Sequence, residues 1–189
     1  ADAQNAVYRG MRNALGILLP AVYLAFIPAR FLLMRWLPQY AMSLQAMILM
    51  LPICVYDGKM NLLCNTYFKV LRKERLLLTI NLASMLASVL LCAIAAYGVR
   101  EIDAVVLSCV MVVAGRSVFS ELRLAGMLGC HVGTKLIQEG ALTMIFLLSA
   151  WFLPSAAAFL TYLAAYSIYL LANRSACTSL AGSVRRLLH

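Results

Sequence analysis

The chain has 189 residues, of which 64% are hydrophobic and 12% are charged, with 16 Lys and Arg against 7 Asp and Glu. Ordinary soluble domains are about 45–50% apolar and about 25% charged, and a domain this small cannot hide so large an apolar fraction from water. A soluble globular protein, a disordered chain and a nucleic-acid-binding module are therefore close to excluded, and a helical integral membrane protein is predicted.

Six apolar segments follow one another along the chain, each near the length of about 20 residues that a helix needs to cross a bilayer. They cover residues 13–34, 42–65, 76–98, 104–126, 136–153 and 155–173. Trp36, Pro38 and Tyr40 mark the turn after the first segment, and a tight turn at Trp151–Ser155 separates the last two. The predicted fold class is an all-α integral membrane protein, a six-transmembrane-helix bundle in a single membrane domain over residues 1–189. The chain has no initiator Met and begins with a polar stretch, which suggests a piece of a longer protein.

The Lys and Arg residues of the predicted loops fall mainly on one side of the membrane. That side carries both ends of the chain and eleven cations: Arg9, Arg12, Lys69, Arg72, Lys73, Arg75, Arg123, Lys135, Arg174, Arg185 and Arg186. The other side carries only Arg35 and Arg100. Cytoplasmic loops hold the excess of Lys and Arg, so both termini are expected in the cytoplasm. The basic segment Tyr67–Arg75 is interpreted either as a cytoplasmic stop or as a short interfacial helix.

Polar residues interrupt the second predicted span. Asp57, Asn61 and Asn65 are spaced by four, so they share one helix face, and Lys59 lies among them. Pro52 is expected to kink this helix because it removes a backbone donor. An ionisable group at the bilayer centre costs about 2.5–3.5 kcal/mol on insertion scales, so it is normally buried and paired.

The fourth span carries Arg116, followed by Ser120, Glu121 and Arg123. Because each helical residue rises about 1.5 Å, Arg116 and Asp57 lie at a similar depth when both spans are counted from the outer side. These two residues are predicted to meet. Two interpretations stay open: an ion pair that fixes helix packing, or a charged cluster that lines a cavity and contacts an anionic substrate.

Three further patterns have structural and functional interpretations. Arg30, near the outer end of the first span, is either an anchor that reaches the headgroups together with Arg35 or a cationic lining of a cavity mouth. A small-residue face on the third span is interpreted as close helix packing; it consists of Ser84, Ser88 and Cys92. A face on the sixth span either contacts other helices or stacks on sugars; it consists of Tyr162, Tyr166, Tyr169 and Asn173.

Signatures of enzymes and metal sites are missing from the sequence. The six cysteines form no CxxC pair and are interpreted as buried small hydrophobic residues rather than disulfides or metal ligands. The sequence has no GxSxG, no HExxH, no P-loop and no Gly-rich dinucleotide motif. Its two histidines, His131 and His189, belong to no catalytic arrangement. We therefore expect neither enzymatic activity nor a cofactor.

Segments 37–40, 51–75 and 80–81 resemble the C-terminal half of the bacterial oligosaccharide flippases. These are the polysaccharide repeat-unit exporters of the multidrug/oligosaccharidyl-lipid/polysaccharide exporter superfamily. The most specific part is the loop sequence at Asn65–Glu74, NTYFKVLRKE. Arg116–Leu122 also resembles the fourth helix of that half, and the similarity covers about Gly16 to Glu139.

The resemblance implies a transporter of two six-helix lobes in the bacterial cytoplasmic membrane, which flips undecaprenyl-diphosphate-linked oligosaccharides outward by alternating access. This chain would be one lobe, and its partner would be an N-terminal lobe or a second copy. Arg116, Lys59 and Arg30 are the expected substrate contacts, since Arg and Lys suit phosphate. Asp57 and Glu121 would hold these cations or carry a coupling ion. A membrane sensor or receptor domain and a membrane-embedded hydrolase are the alternatives.

Overall fold

The computed structural model describes residues 2–37, 39, 41–98, 102–129 and 132–174, and every regular element within them is helical. Pro38, Tyr40, Arg100, His131 and the chain after Arg174 lie outside the described residues. The elements are α1 (Asp2–Trp36), α2 (Ala41–Lys59), a π-helical segment (Met60–Asn65), α3 (Thr66–Val70), α4 (Glu74–Gly98), α5 (Ile102–Leu128), α6 (Gly133–Phe152) and α7 (Ser155–Ala172).

Six helical spans within the described residues are long and apolar enough to cross a membrane. They are Val7–Trp36, Ala46–Val70, Glu74–Gly98, Asp103–Leu128, Gly133–Phe152 and Ser155–Ala172. The second span consists of most of α2, the π segment and α3 in succession. All six coincide with the predicted segments, and the first begins several residues earlier than expected. The chain is an all-α multi-pass membrane protein, and the predicted fold class is confirmed.

The basic segment after the second span does not form a separate interfacial helix. Helix α3 ends at Val70, and the turn is closed by a 2.9 Å hydrogen bond from the Lys73 N–H to the Phe68 carbonyl. Arg72 has a φ of 54°, the left-handed conformation that commonly ends helices. Helix α4 then begins at Glu74. This arrangement favours the interpretation of the segment as a basic stop at the end of a span.

The predicted tight turn between the last two spans is confirmed. Helix α6 ends at Phe152, and Pro154 has φ −61° and ψ 150°, an extended conformation from which α7 starts at Ser155. The Ala158 N–H donates to the Pro154 carbonyl at 2.9 Å, which closes the first turn of α7.

One compact unit comprises residues 1–38 and 137–189, and its described part contains α1, most of α6 and α7. Pro20 lies inside α1 and removes the N–H that the Gly16 carbonyl would accept. The Tyr169 hydroxyl donates to that carbonyl at 2.9 Å. Tyr166 donates to the Ile17 carbonyl at 3.0 Å, and Tyr162 to the Pro20 carbonyl at 2.9 Å. The tyrosine face of α7 therefore makes helix–helix contacts, which favours the structural interpretation of this face.

Gly16 and a group of aromatic rings explain how closely these helices pack. A Cβ at Gly16 would lie 3.0 Å from Glu139 Oε1 and 3.3 Å from the Tyr169 hydroxyl, so a larger residue would require both side chains to shift by a few tenths of an ångström. Tyr23 of α1 stacks on Phe146 of α6 with ring centroids 4.4 Å apart. Tyr162 contacts both of these rings edge to face, which joins α7 to the same cluster.

The other compact unit comprises Gln39–Leu136, with the second span, α4 and α5. Helix α5 packs against both α2 and α4. Helix α2 continues through Pro52 as far as Lys59, so the chain stays helical on both sides of this proline. The departure from α-helical geometry begins at Met60, where the π segment starts. Such segments are rare and are frequently found at functional sites.

Candidate functional site

The polar face of the second span is a continuous row of hydrogen bonds. The Asn61 Nδ2 donates to Asp57 Oδ2 at 2.9 Å, and the Asn65 Nδ2 donates to Asn61 Oδ1 at 2.7 Å. The predicted shared face of these three residues is confirmed. Each amide orients the next group, so the row presents its polar atoms in a fixed order along the span.

Arg116 of α5 meets Asp57, as the comparison of depths predicted. The Arg116 guanidinium lies 2.5 Å from Asp57 Oδ1. The Arg116 side chain is 21% exposed and the Asp57 side chain is 45% exposed, so this charge pair is partly open. The neighbouring side chains therefore leave part of this pair uncovered.

Lys59 and Glu121 form a second ion pair between α2 and α5. The Lys59 Nζ lies 2.5 Å from Glu121 Oε2, and the two side chains are 4% and 0% exposed. Glu121 therefore holds one of the predicted substrate-contacting cations, which is one of the two roles expected of it. Because Lys59 is enclosed with its partner, a ligand reaches it only if that pair opens.

Arg116 also lines a groove between α4 and α5 with a volume of about 250 Å³. The α4 wall includes Asn81, Ser84 and Ser88. Within the described structure, Asn81 Oδ1 and Arg116 Nε are buried and have no hydrogen-bond partner. The predicted small-residue face of α4 thus lies against α5. The groove that remains between the two helices is lined partly by polar side chains.

The remaining polar residues of the fourth span do not join this groove as a single row. Ser120 is fully buried, whereas Arg123 is exposed and lies over the Phe119 ring, with its guanidinium carbon 5.1 Å from the ring centroid. Arg116 and Glu121 are therefore the two charged residues of this span that form ion pairs with the second span.

Arg30, in the first compact unit, has a structural partner. Its Nη1 donates at 2.9 Å to the carbonyl of Ala150, in the last turn of α6. The last carbonyls of a helix have no partner within it, and a cation there also interacts favourably with the helix dipole. This contact is a structural role within the unit that neither the headgroup anchor nor the cavity lining anticipated.

Sequence reasoning missed one ion pair, Arg12 with Glu139, in the first compact unit. The Arg12 Nη2 lies 3.6 Å from Glu139 Oε1, and the side chains are 4% and 9% exposed. Arg12 was counted among the loop cations, and this assignment is wrong because the residue is buried within α1. Glu139 was the available signal, since a carboxylate within a predicted span requires a partner.

Comparison of the chain with protein-family models, with curated proteins and with solved structures found no match.

Proposed function

We propose that this chain is one lobe of a transporter that moves lipid-linked oligosaccharides across the bacterial cytoplasmic membrane. The observation that carries the proposal is the partly open Asp57–Arg116 pair, continued along the second span by Asn61 and Asn65. Ionisable residues within spans are costly, and they commonly mark substrate or ion pathways. The resemblance to the flippases suggests the class of cargo.

The chemistry of this cargo suits the polar row. A diphosphate-linked sugar is anionic and rich in hydroxyl groups, so it cannot cross hydrocarbon unaided, whereas its lipid tail remains in the bilayer. The Arg116 guanidinium matches phosphate oxygens, and the side-chain amides of Asn61 and Asn65 can both donate to and accept from hydroxyl groups. Asp57 keeps the guanidinium paired when no cargo is bound, and phosphate displaces it.

Arg116 ranks before the other two predicted contacts because of its exposure. Lys59 is enclosed with Glu121, and Arg30 is bonded to the end of α6. A single lobe provides one wall of a cavity between lobes, so the proposed partner is an N-terminal lobe or a second copy of the chain. Alternating access would then rock the two lobes against each other around the bound headgroup.

Complementation of a flippase-deficient bacterial strain tests this proposal. The full-length protein that contains this chain should restore surface polysaccharide. Arg116→Ala should abolish export while its level in the membrane stays near normal, and Arg116→Lys should retain part of the export. Arg123→Ala is the matched control, since Arg123 lies on the same helix but is exposed over Phe119. Normal export by a well-expressed Arg116→Ala protein would contradict the proposal.

A second variant separates substrate contact from structural pairing. If Arg116→Ala instead lowers the amount of folded protein, the loss comes from Asp57, which is left without its partner. Combining it with Asp57→Ala should then restore the amount. Export should remain absent in this double variant. Recovery of both amount and export would assign the pair to packing alone and overturn the proposed contact.

A further inference from the structure

Two cysteines from neighbouring helices bring their sulfur atoms together. The Sγ atoms of Cys92 on α4 and Cys109 on α5 are 3.4 Å apart, and both residues are free and half-buried. A disulfide bond is about 2.0 Å long, so each sulfur needs to move by less than about 1 Å to form one. The other two described cysteines differ, because Cys54 is exposed and Cys64 is buried, and neither contributes to this sulfur contact.

We propose that Cys92 and Cys109 form an oxidisable dithiol, a modification site that a small organic disulfide closes to an intramolecular disulfide. One protein thiolate attacks a sulfur of the reagent, which forms a mixed disulfide and releases one reagent thiol. The second protein thiolate then attacks the cysteine sulfur of that mixed disulfide and releases the other reagent thiol. The two cysteines lose two electrons and two protons in total, and the reagent disulfide gains them.

The pair lies near the predicted outer ends of the two helices. Both cysteines lie about two helical turns from the α4–α5 connection. By the distribution of cations this connection faces outward, on the side of the bacterial membrane where disulfides form and persist. The pair thus combines preformed geometry with a position about two turns from the side predicted to be oxidising.

The bond would have a defined structural effect. It would tie the outward halves of α4 and α5 to each other, and α5 carries Arg116 and Glu121, the two partners of the second span. Oxidation would therefore restrict sliding of α5 against α4 without touching either ion pair.

Reaction of the purified protein in lipid nanodiscs with 2,2′-dithiodipyridine tests the proposal. Mass spectrometry should detect a peptide pair joined through Cys92 and Cys109 that is two hydrogen atoms lighter than the reduced peptides. Neither cysteine should retain a pyridyl adduct, and reduction should restore alkylation of both by maleimide. The exposed Cys54 should instead retain an adduct.

Single substitutions provide the matched controls. Cys109→Ser should leave a stable pyridyl adduct on Cys92, and Cys92→Ser should leave one on Cys109, because the second exchange step has no thiol. Cys54→Ser should leave the cross-link unchanged. Separate pyridyl adducts on both cysteines of the unmodified protein, the absence of any reaction at either, or cross-links from either one to another cysteine would overturn the proposal. These readouts need no transport assay, so they are independent of the proposed function.

Discussion

At the scale of single residues, the two ion pairs of the second compact unit differ in exposure, and their roles should differ accordingly. Lys59 and Glu121 are almost completely enclosed, whereas Arg116 and Asp57 remain partly open. Removing one partner of a buried pair leaves an uncompensated charge and costs about 3–5 kcal/mol. A partly open charge loses less when the space beside it is hydrated, because water then replaces the lost partner. Enclosure thus points to a structural role for the first pair and leaves the second available for a ligand.

We therefore expect Glu121→Gln to destabilise the protein more than Asp57→Asn. The first substitution leaves the Lys59 ammonium without a counter-ion in an enclosed position, which should lower the melting temperature in detergent clearly. Adding Lys59→Met should recover most of that loss, because the unpaired charge is removed. Melting followed by intrinsic fluorescence measures the three variants. A larger loss in Asp57→Asn than in Glu121→Gln would contradict the division of roles.

Sequence alone predicts depth in the membrane well, but it predicts direction around a helix poorly. The meeting of Asp57 and Arg116 followed from counting residues along two spans. The partner of Lys59 did not, because residues two apart on an α-helix point about 200° away from each other. Lys59 and Asp57 nevertheless both reach α5 from the last turn of α2, just before the π segment begins at Met60. The ion pair of Arg12 with Glu139 was also missed. Its two helices are distant in sequence, and the sequence does not say that they pack together.

At the scale of elements, the tyrosine face of α7 replaces a hydrogen bond that Pro20 removes from α1. Pro20 leaves the Gly16 carbonyl without its helical donor, and the Tyr169 hydroxyl supplies one at 2.9 Å. Tyr162 donates to the Pro20 carbonyl at 2.9 Å. Unlike the Gly16 carbonyl, this one can also accept from the backbone N–H four residues later in α1. In hydrocarbon no water is present to donate a hydrogen bond to an unsatisfied carbonyl. The hydroxyl of Tyr169 should therefore contribute more to stability than that of Tyr162.

A double-mutant cycle measures this compensation. Tyr169→Phe should lower the free energy of unfolding by about 1–3 kcal/mol, the cost of leaving a buried carbonyl unsatisfied, and Tyr162→Phe should cost less. In a Pro20→Ala background the restored N–H can reach Gly16, so Tyr169→Phe should cost less than it does in the unmodified protein. Thermal or urea unfolding in detergent provides the values. Equal costs of Tyr169→Phe in both backgrounds would show that the hydroxyl does not replace the missing donor.

The π segment shows what residue patterns do not reveal about an element. Pro52 is the residue in the second span that predicts a kink, whereas the π segment begins eight residues later, at Met60. A helix can continue through a proline where neighbouring groups accommodate it. The position of a π segment, in contrast, depends on how the residues on either side pack. Met60, Leu63 and Cys64 are buried in that segment. The residue pattern of this segment gives no sign of the π geometry.

At the scale of the whole molecule, the six spans were predictable and the grouping of helices was not. The bilayer requires about 20 apolar residues per crossing and full satisfaction of the backbone, so hydropathy predicts the spans directly. Helix interfaces and lipid are equally apolar, so periodicity says little about which helices pack together. The association of α1 with α7 therefore emerged only with the structure. The orientation in the membrane follows neither from the spans nor from the grouping of helices, and it stays a prediction from charge.

That orientation is the last prediction, and reporter fusions test it. Arg9 and Arg12 lie within α1 rather than in a loop, but Lys69, Arg72, Lys73 and Arg75 still flank one turn. Phosphatase fusions at Lys73 and at His131 should be inactive, because these sites are expected in the cytoplasm. Fusions at Glu101 and Pro154 should be active.

Neutralising the four cations around the Arg72 turn provides the control. If these charges set orientation, as cytoplasmic Lys and Arg do in other multi-pass proteins, the quadruple variant should show mixed activity at both Lys73 and Pro154. Its remaining export should follow the fraction that is correctly oriented, because these side chains lie at the end of the span and not beside Arg116. An active fusion at Lys73 in the unmodified protein would invert the topology, and the assignment of this chain as a flippase lobe would fail with it.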